Sequence, residues 1–259
     1  MNKEYWQIDK EVENPVEHYQ KERNEAVKQM GKDSELKDLS MKWMIAADKH
    51  KYTYNFNWMG RPLIKYPGDI VVQQEIMWNI KPDLIIEIGV AHGGSVLFSA
   101  SMQKMMNIPN ALTLGVDIEI RSHNRVEIEN SLVADGIKLI EGSSIDNTIV
   151  NQVEEIADQH KNVMVILDSN HSHDHVLAEL RHYHEMVSKG SYMILPDTFI
   201  EFFPKGYFSS DRPWDVGNNP YTACMAFMEE KSDMFEIDHY WSDKALISET
   251  PSGYLKRIK

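Results

Sequence analysis

The sequence predicts an α/β protein: an open, mostly parallel, seven-stranded sheet with helices on both faces, preceded by a helical appendage. Three observations lead there. Short apolar runs closed by glycine or aspartate recur five times between residues 83 and 197, and helical patterning separates them. The runs are apolar throughout rather than alternating, as strands buried on both faces are. Their connections are long enough for the right-handed crossovers that parallel neighbours need.

Taken in order, segments 15–30 and 34–50 are charge-rich with helical spacing, and Asp33 or Ser34 offers a cap for the second. Tyr52 to Trp58 is aromatic and polar, and Gly60-Arg61-Pro62 breaks any regular element. Residues 1–60 thus read as an appendage, whose aromatics either cover the core or line a pocket, and residues 61–259 as the main domain. A helix over 69–80 stops at Lys81-Pro82. Strands are expected at 83–89, 111–117, 137–142, 162–168 and 191–197. Helices over 94–106, 124–135, 146–159 and 173–188 connect them. An irregular insertion rich in Phe, Pro, Gly and Trp spans 198–220. A helix over 221–231 and strand-like segments at 235–241 and 245–249 close the sheet.

Composition narrows the function by exclusion. The formal charge is −13, and no basic cluster is longer than the tail KRIK, so a nucleic-acid backbone is not the partner. No apolar run approaches the roughly 20 residues that span a bilayer. The amino terminus, MNKEYWQIDKEVENP, lacks the apolar core of a signal peptide. Cys224 is the only cysteine, which leaves no intramolecular disulfide. A cytoplasmic protein is expected.

In an open α/β sheet, ligands bind beyond the carboxyl ends of the strands. Here those ends are acidic. The first is Glu87-Ile-Gly-Val-Ala-His-Gly-Gly94, running into Ser95; the others carry Asp117, Gly142-Ser-Ser-Ile-Asp146, Asp168 and Asp197. A dinucleotide fold wants G-x-G-x-x-G, so that a pyrophosphate can approach the helix amino terminus. This turn has glycines at 89, 93 and 94 and puts Ala91 where the second would stand. An adenosine cofactor without a pyrophosphate does not need that glycine. S-adenosylmethionine is one, bound by a Rossmann-like sheet of the class I methyltransferase kind. Its amino-acid end is expected along Glu87, Gly89, Ala91, Gly93 and Ser95. Asp117 would accept from the ribose hydroxyls, Ser144 and Asp146 would flank the adenine, and Asp168 would close the site.

A second constellation is Asp168, His171 and Asp197. Neighbouring strands lie about 4.8 Å apart, so carboxylates on adjacent tips can hold one hard cation such as Mg²⁺. A cation there acidifies an acceptor hydroxyl, and His171, three residues past Asp168, can take its proton. The alternative is that Asp168 caps the next helix. His173, Asp174 and His175 are read as the start of that helix, pointing outward.

The stretch WMGRPLIKYPGDIVVQQEIMWNIKPDLIIEIGVAHGGSVLFSASM, with GVDIEIRSHN, EGSSID, LDSNHSHDHVLAEL, GSYMILPDT and RPWDVGNNPYTA, resembles the cephalosporin hydroxylase-like family over about residues 55–258. Despite its name, that family contains S-adenosylmethionine-dependent O-methyltransferases acting on rhamnosyl and macrolide-sugar hydroxyls. The resemblance implies Mg²⁺ ligands at Asp168 and Asp197, His171 as general base, a small hydroxylated, sugar-like acceptor, and a homo-oligomer. One departure stands out. The residue before the second aspartate is commonly an acidic ligand in relatives, whereas here it is Pro196, which leaves Glu201 or water to complete the shell. An iron-dependent hydroxylase, as the family name suggests, is one alternative function. A catalytically silent partner subunit is another.

Overall fold

The computed structural model describes residues 14–208 and 212–259. The first thirteen residues, with most of the stretch read for a leader, lie outside the described residues. Helix α1 (Pro15–Met30) begins with Pro15 behind Asn14, whose Oδ1 accepts from the N–H groups of Val16 and Glu17. Helix α2 (Ser34–Asp48) is capped by Asp33 at the N–H of Leu36 (2.9 Å). A short hairpin, β1 (Asn57–Trp58) and β2 (Arg61–Pro62), turns through Met59 and Gly60, both left-handed. Helix α3 (Pro67–Ile80) follows.

The main sheet then forms from β3 (Leu84–Ile88), β4 (Leu112–Asp117), β5 (Ile137–Glu141), β6 (Val163–Leu167) and β7 (Tyr192–Ile194), all parallel. Strands β8 (Phe235–Ile237) and β9 (Tyr254–Arg257) complete it antiparallel, in the order β5-β4-β3-β6-β7-β9-β8. The chain runs outward from β3 to β5 and then returns to β6 beside β3. That reversal is a topological switch point, and it opens a crevice at the carboxyl ends of β3 and β6.

Side chains alternate across the strands and so build two cores. On one face, Leu84, Ile86 and Ile88 pack with Val150 and Val153 of α6 (Asn147–Ala157), Leu180 and Tyr183 of α7 (His173–Tyr183), and Phe227 of α8 (Pro220–Lys231). On the other, Ile85 packs with Ile76 of α3, Phe98 of α4 (Gly94–Met105) and Trp241 of α9 (His239–Ala245). Burying each such side chain stabilises the fold by about 1.5–3 kcal/mol.

The seven strands and five parallel units match the sequence reading, but the carboxyl-terminal assignment needs correction. Residues 245–249 are no strand. Asp238 caps α9 at the N–H of Tyr240, that helix takes up 239–245, and Leu246 turns left-handed to end it. Ser248 and Glu249 then bind Asp69 of α3, and the last strand is β9 instead. The helix expected over 124–135 is the shorter α5 (Ser122–Glu129), and α7 stops at Tyr183. No helix among the described residues is long and apolar enough to cross a membrane.

Candidate active site

A cleft of about 820 Å³ opens at the switch point. One wall is the turn after β3. Gly89 is left-handed, and a Cβ there would meet the carbonyl of Asp168 at 2.0 Å, so β3 and β6 can meet this closely only with glycine. Gly94, by the same construction, would clash with the Pro62 carbonyl at 2.1 Å. Ala91 is left-handed without being glycine. Its carbonyl accepts from Asn124 Nδ2 (2.9 Å), while Arg61 donates both to the His92 carbonyl (3.0 Å) and to Asn124. Arg61 and Asn124 thus brace this turn from outside it, a role no local motif reveals.

The predicted cofactor residues occupy three kinds of position. Gly89, Ala91 and Ser95 line the cleft, while Gly93 is a left-handed residue over Ile128. Glu87 is 1 % exposed and accepts from Ser99 Oγ (3.3 Å). Burial pushes its carboxyl up to about 7, against the lowering effect of Ser95 and Lys65. Asp117 Oδ2 accepts from the N–H groups of Val90 (2.8 Å) and Ala91 (3.1 Å), so it holds the β3 turn from the tip of β4. Asp146 is exposed and caps α6 at the N–H of Thr148 (2.7 Å). Ser144 is buried, and its hydroxyl donates to Glu179 (2.5 Å).

The second wall carries ionisable chemistry. One ligand atom each from Asp168, His171 and Asp197 lies within 4.8 Å of the others. His171 Nε2 is 3.2 Å from Asp197 Oδ2, and its ring stands edge-to-face with Trp214, ring centres 4.7 Å apart. Asp197 sits in the left-handed region (φ 60°), a strained place for a non-glycine residue and one that marks functional positions. Burial raises its carboxyl above the ordinary aspartate value, and His171 partly offsets that.

Behind this cluster lies Lys65, a residue the sequence reading passed over. Its ammonium, 4 % exposed, is 3.1 Å from Asp168 Oδ2 and 2.7 Å from Glu249 Oε1. Burial opposes the charge, yet Asp168 and Glu249 outweigh it and hold the lysine well above its usual value. Glu249 is itself tied through its N–H to Asp69 (2.8 Å). The available sequence signal was a lone lysine within the apolar, aromatic run PLIKY. Glu249 had none, because it arrives from 184 residues away.

Two other expectations need correction. Glu201 does not join the cluster: its carboxylate accepts from Gly217 N (2.8 Å) and Asn219 Nδ2 (2.6 Å) inside the insertion. His173 and His175 do begin α7, but they are partly buried rather than pointing outward. His173 bonds with Thr222 of α8 (2.9 Å), and His175 with Glu179 one turn further along α7 itself (3.1 Å). The rest of the cleft is aromatic, with Tyr54 from the appendage and Phe199, Tyr207 and Trp214 from the insertion.

The acidic strand tips beside a braced glycine turn, on this strand order, define a Rossmann-like methyltransferase. The family model described as rhamnosyl O-methyltransferase/CmcI matches residues 50–258. The chain belongs to that family, and with it to the S-adenosylmethionine-dependent O-methyltransferases. Rhamnosyl O-methyltransferase of Mycobacterium tuberculosis is 29% identical over 222 residues, covering 82% of this chain and 85% of the relative. The Mycobacterium leprae protein of the same name is 30% identical over 220 residues, with 82% and 90% covered. Among solved structures, CmcI carrying Mg and SAM is 20% identical and has a TM-score of 0.57, over 80% of this chain and 78% of CmcI. The apo form of CmcI has a TM-score of 0.56 at 18% identity, over 80% and 77%. At that identity the likeness is one of fold. The cofactors expected from the sequence are the two that CmcI structure carries.

Proposed function

We propose that the chain transfers the methyl group of S-adenosylmethionine to a hydroxyl of a sugar or sugar-bearing small molecule, with Mg²⁺ held by Asp168 and Asp197. The observation that carries this is the convergence of Asp168, His171 and Asp197 opposite the glycine turn, in one cleft. Two carboxylates with one imidazole offer hard oxygen donors to the cation, whereas non-haem iron oxygenases use two histidines with one carboxylate. Bound there, Mg²⁺ supplies charge that lowers the pKa of an acceptor hydroxyl. The rhamnosyl relatives and the aromatic lining favour a sugar acceptor.

The residues divide the work. Gly89, Ala91, Gly93 and Ser95, with Glu87 behind them, form the berth for the cofactor's amino-acid end. Asp117 fixes this turn and faces the ribose, while Ser144 and Asp146 mark the adenine end. His171 accepts the hydroxyl proton as the acceptor oxygen forms its bond to the methyl carbon. The carbon–sulfur bond breaks, and its electron pair stays on sulfur. Trp214 fixes the imidazole's orientation for that step. Residues 14–60 form an appendage to the methyltransferase domain, and within it residues 48–54 cover the acceptor end of the cleft.

The test is label transfer from methyl-tritiated S-adenosylmethionine to rhamnosides, with and without chelator. Mg²⁺-dependent labelling of a hydroxyl is expected. Full activity in chelator would remove the metal from the account, and turnover with 2-oxoglutarate and iron instead would replace it.

A further inference from the structure

The charge of the cleft departs from that of the chain. The protein has 40 acidic against 27 basic residues, yet the cleft lining holds four of each. They are also segregated. The deep part carries Asp168, Asp197, Glu249 and Lys65, and there Lys65 is committed to two of the carboxylates. Lys49, Lys51 and Arg212 are exposed and line the outer part. The one acid with them is Asp48, whose carboxylate already receives the hydroxyl of Tyr207 (2.9 Å). The ion pairs found among the described residues include neither Lys49 nor Lys51.

These cations stand on ordered elements. Lys49 closes α2, and Lys51 is left-handed (φ 50°), its carbonyl accepting from Tyr54 N (2.9 Å) to start a 3₁₀ turn. The Arg212 guanidinium lies 5.3 Å over the ring of Trp214, the same indole that packs on His171. One aromatic ring therefore touches both a planar cation and the imidazole. A sugar lying along that ring can present a hydroxyl to His171 and a charged substituent to Arg212.

We propose that the acceptor is anionic: a sugar bearing a phosphate or a carboxylate, whose charge is read by Lys49, Lys51 and Arg212. This deepens the O-methyltransferase assignment and rests on it. Arginine matches either anion through two parallel N–H donors, and the lysines add point charges. With the sulfonium and a divalent cation in the deep part, the cleft becomes net positive within an acidic protein. Low-dielectric walls focus such a field and draw in anions. A neutral glycoside would leave all three outer cations unused.

The test is calorimetry on the full chain loaded with S-adenosylhomocysteine and Mg²⁺, with rhamnose 1-phosphate, galacturonate and methyl rhamnoside as probes. At least one anion should bind about tenfold or more tightly than the neutral glycoside, a gap of about 1.4 kcal/mol. Whichever anion does so identifies the group. The gap should close to within about threefold in the Lys49→Ala/Lys51→Ala/Arg212→Ala variant and shrink in high salt. All three side chains are exposed, so this variant keeps its fold. Equal binding of neutral and anionic probes, or binding of none, would overturn the proposal. So would a gap that persists in the triple variant, which would put the anion elsewhere in the cleft. Failure of the underlying methyltransferase assignment reads out separately, as a chain that does not take up S-adenosylhomocysteine.

Discussion

On one side of β3, Asp117 accepts from the main-chain N–H groups of Val90 and Ala91, and Asp146 from that of Thr148. On the other side, Asp168 meets the ammonium of Lys65, and Asp197 the imidazole of His171. All four aspartates lie at or after the carboxyl ends of strands, but their partners differ in kind. Main-chain donors lower the carboxyl of Asp146, whereas burial raises that of Asp197. A carboxylate bound to backbone fixes a turn and stays put. One bound to an ionisable side chain can exchange that partner for a cation or a substrate proton. In the function proposed above, the first pair shapes the cofactor berth and the second carries the reaction.

Several substitutions break or sharpen this contrast. The largest effect is expected for His171→Ala, which should cost about 10²–10⁴-fold in methyl-transfer rate while cofactor affinity stays near normal. A near-normal rate would reduce His171 to a companion of Asp197. Next, Lys65→Ala leaves the buried Glu249 and the half-buried Asp168 without their shared cation. Removing one partner of a buried ion pair costs about 3–5 kcal/mol, readable as a lowered denaturation midpoint. An unchanged midpoint would mean that Asp168 does not depend on the lysine.

Glu87 gives a pH signature. Its carboxyl, raised to about 7, holds its proton in the folded state longer than in the unfolded chain. Stability should therefore fall as the pH rises from the ordinary glutamate range to about 7, by roughly 3 kcal/mol, with the cost complete above that. Glu87→Gln should flatten that slope. The smallest effects separate the two backbone-bound aspartates. Asp117→Ala frees the β3 turn and should weaken S-adenosylmethionine binding about tenfold, a loss of about 1.4 kcal/mol. Asp146→Ala, acting from an exposed helix cap, should change affinity much less. Equal losses at both positions would mean that the exposed adenine-end contact of Asp146 counts for as much as the braced β3 turn.

The same contrast explains what was legible in the sequence. The strands, the glycine turn and the acidic tips follow from local apolar runs and spacing, because each is made by residues within one β-α unit. Glu249 and Lys65 meet across 184 residues, and Arg61 reaches Asn124 across 63. Only folding creates such pairs. The misassigned 245–249 segment shows the same limit. Its apolar pattern suits an edge strand, but the buried carboxylate of Asp69 collects Ser248 and Glu249 instead. His173 looks like a solvent-facing helix residue in the sequence, and only folding brings Thr222 of α8 beside it.

The central claim is that Asp168 and Asp197 jointly hold one divalent cation. Electron paramagnetic resonance with Mn²⁺ tests it most directly, because it counts bound metal without needing the acceptor. The wild-type chain should bind one Mn²⁺ that Mg²⁺ displaces, and Asp168→Asn and Asp197→Asn should each abolish that binding. S-adenosylmethionine should still bind Asp197→Asn, since that side chain lies outside the cofactor berth. Undiminished Mn²⁺ binding in either variant would contradict the assignment of the site.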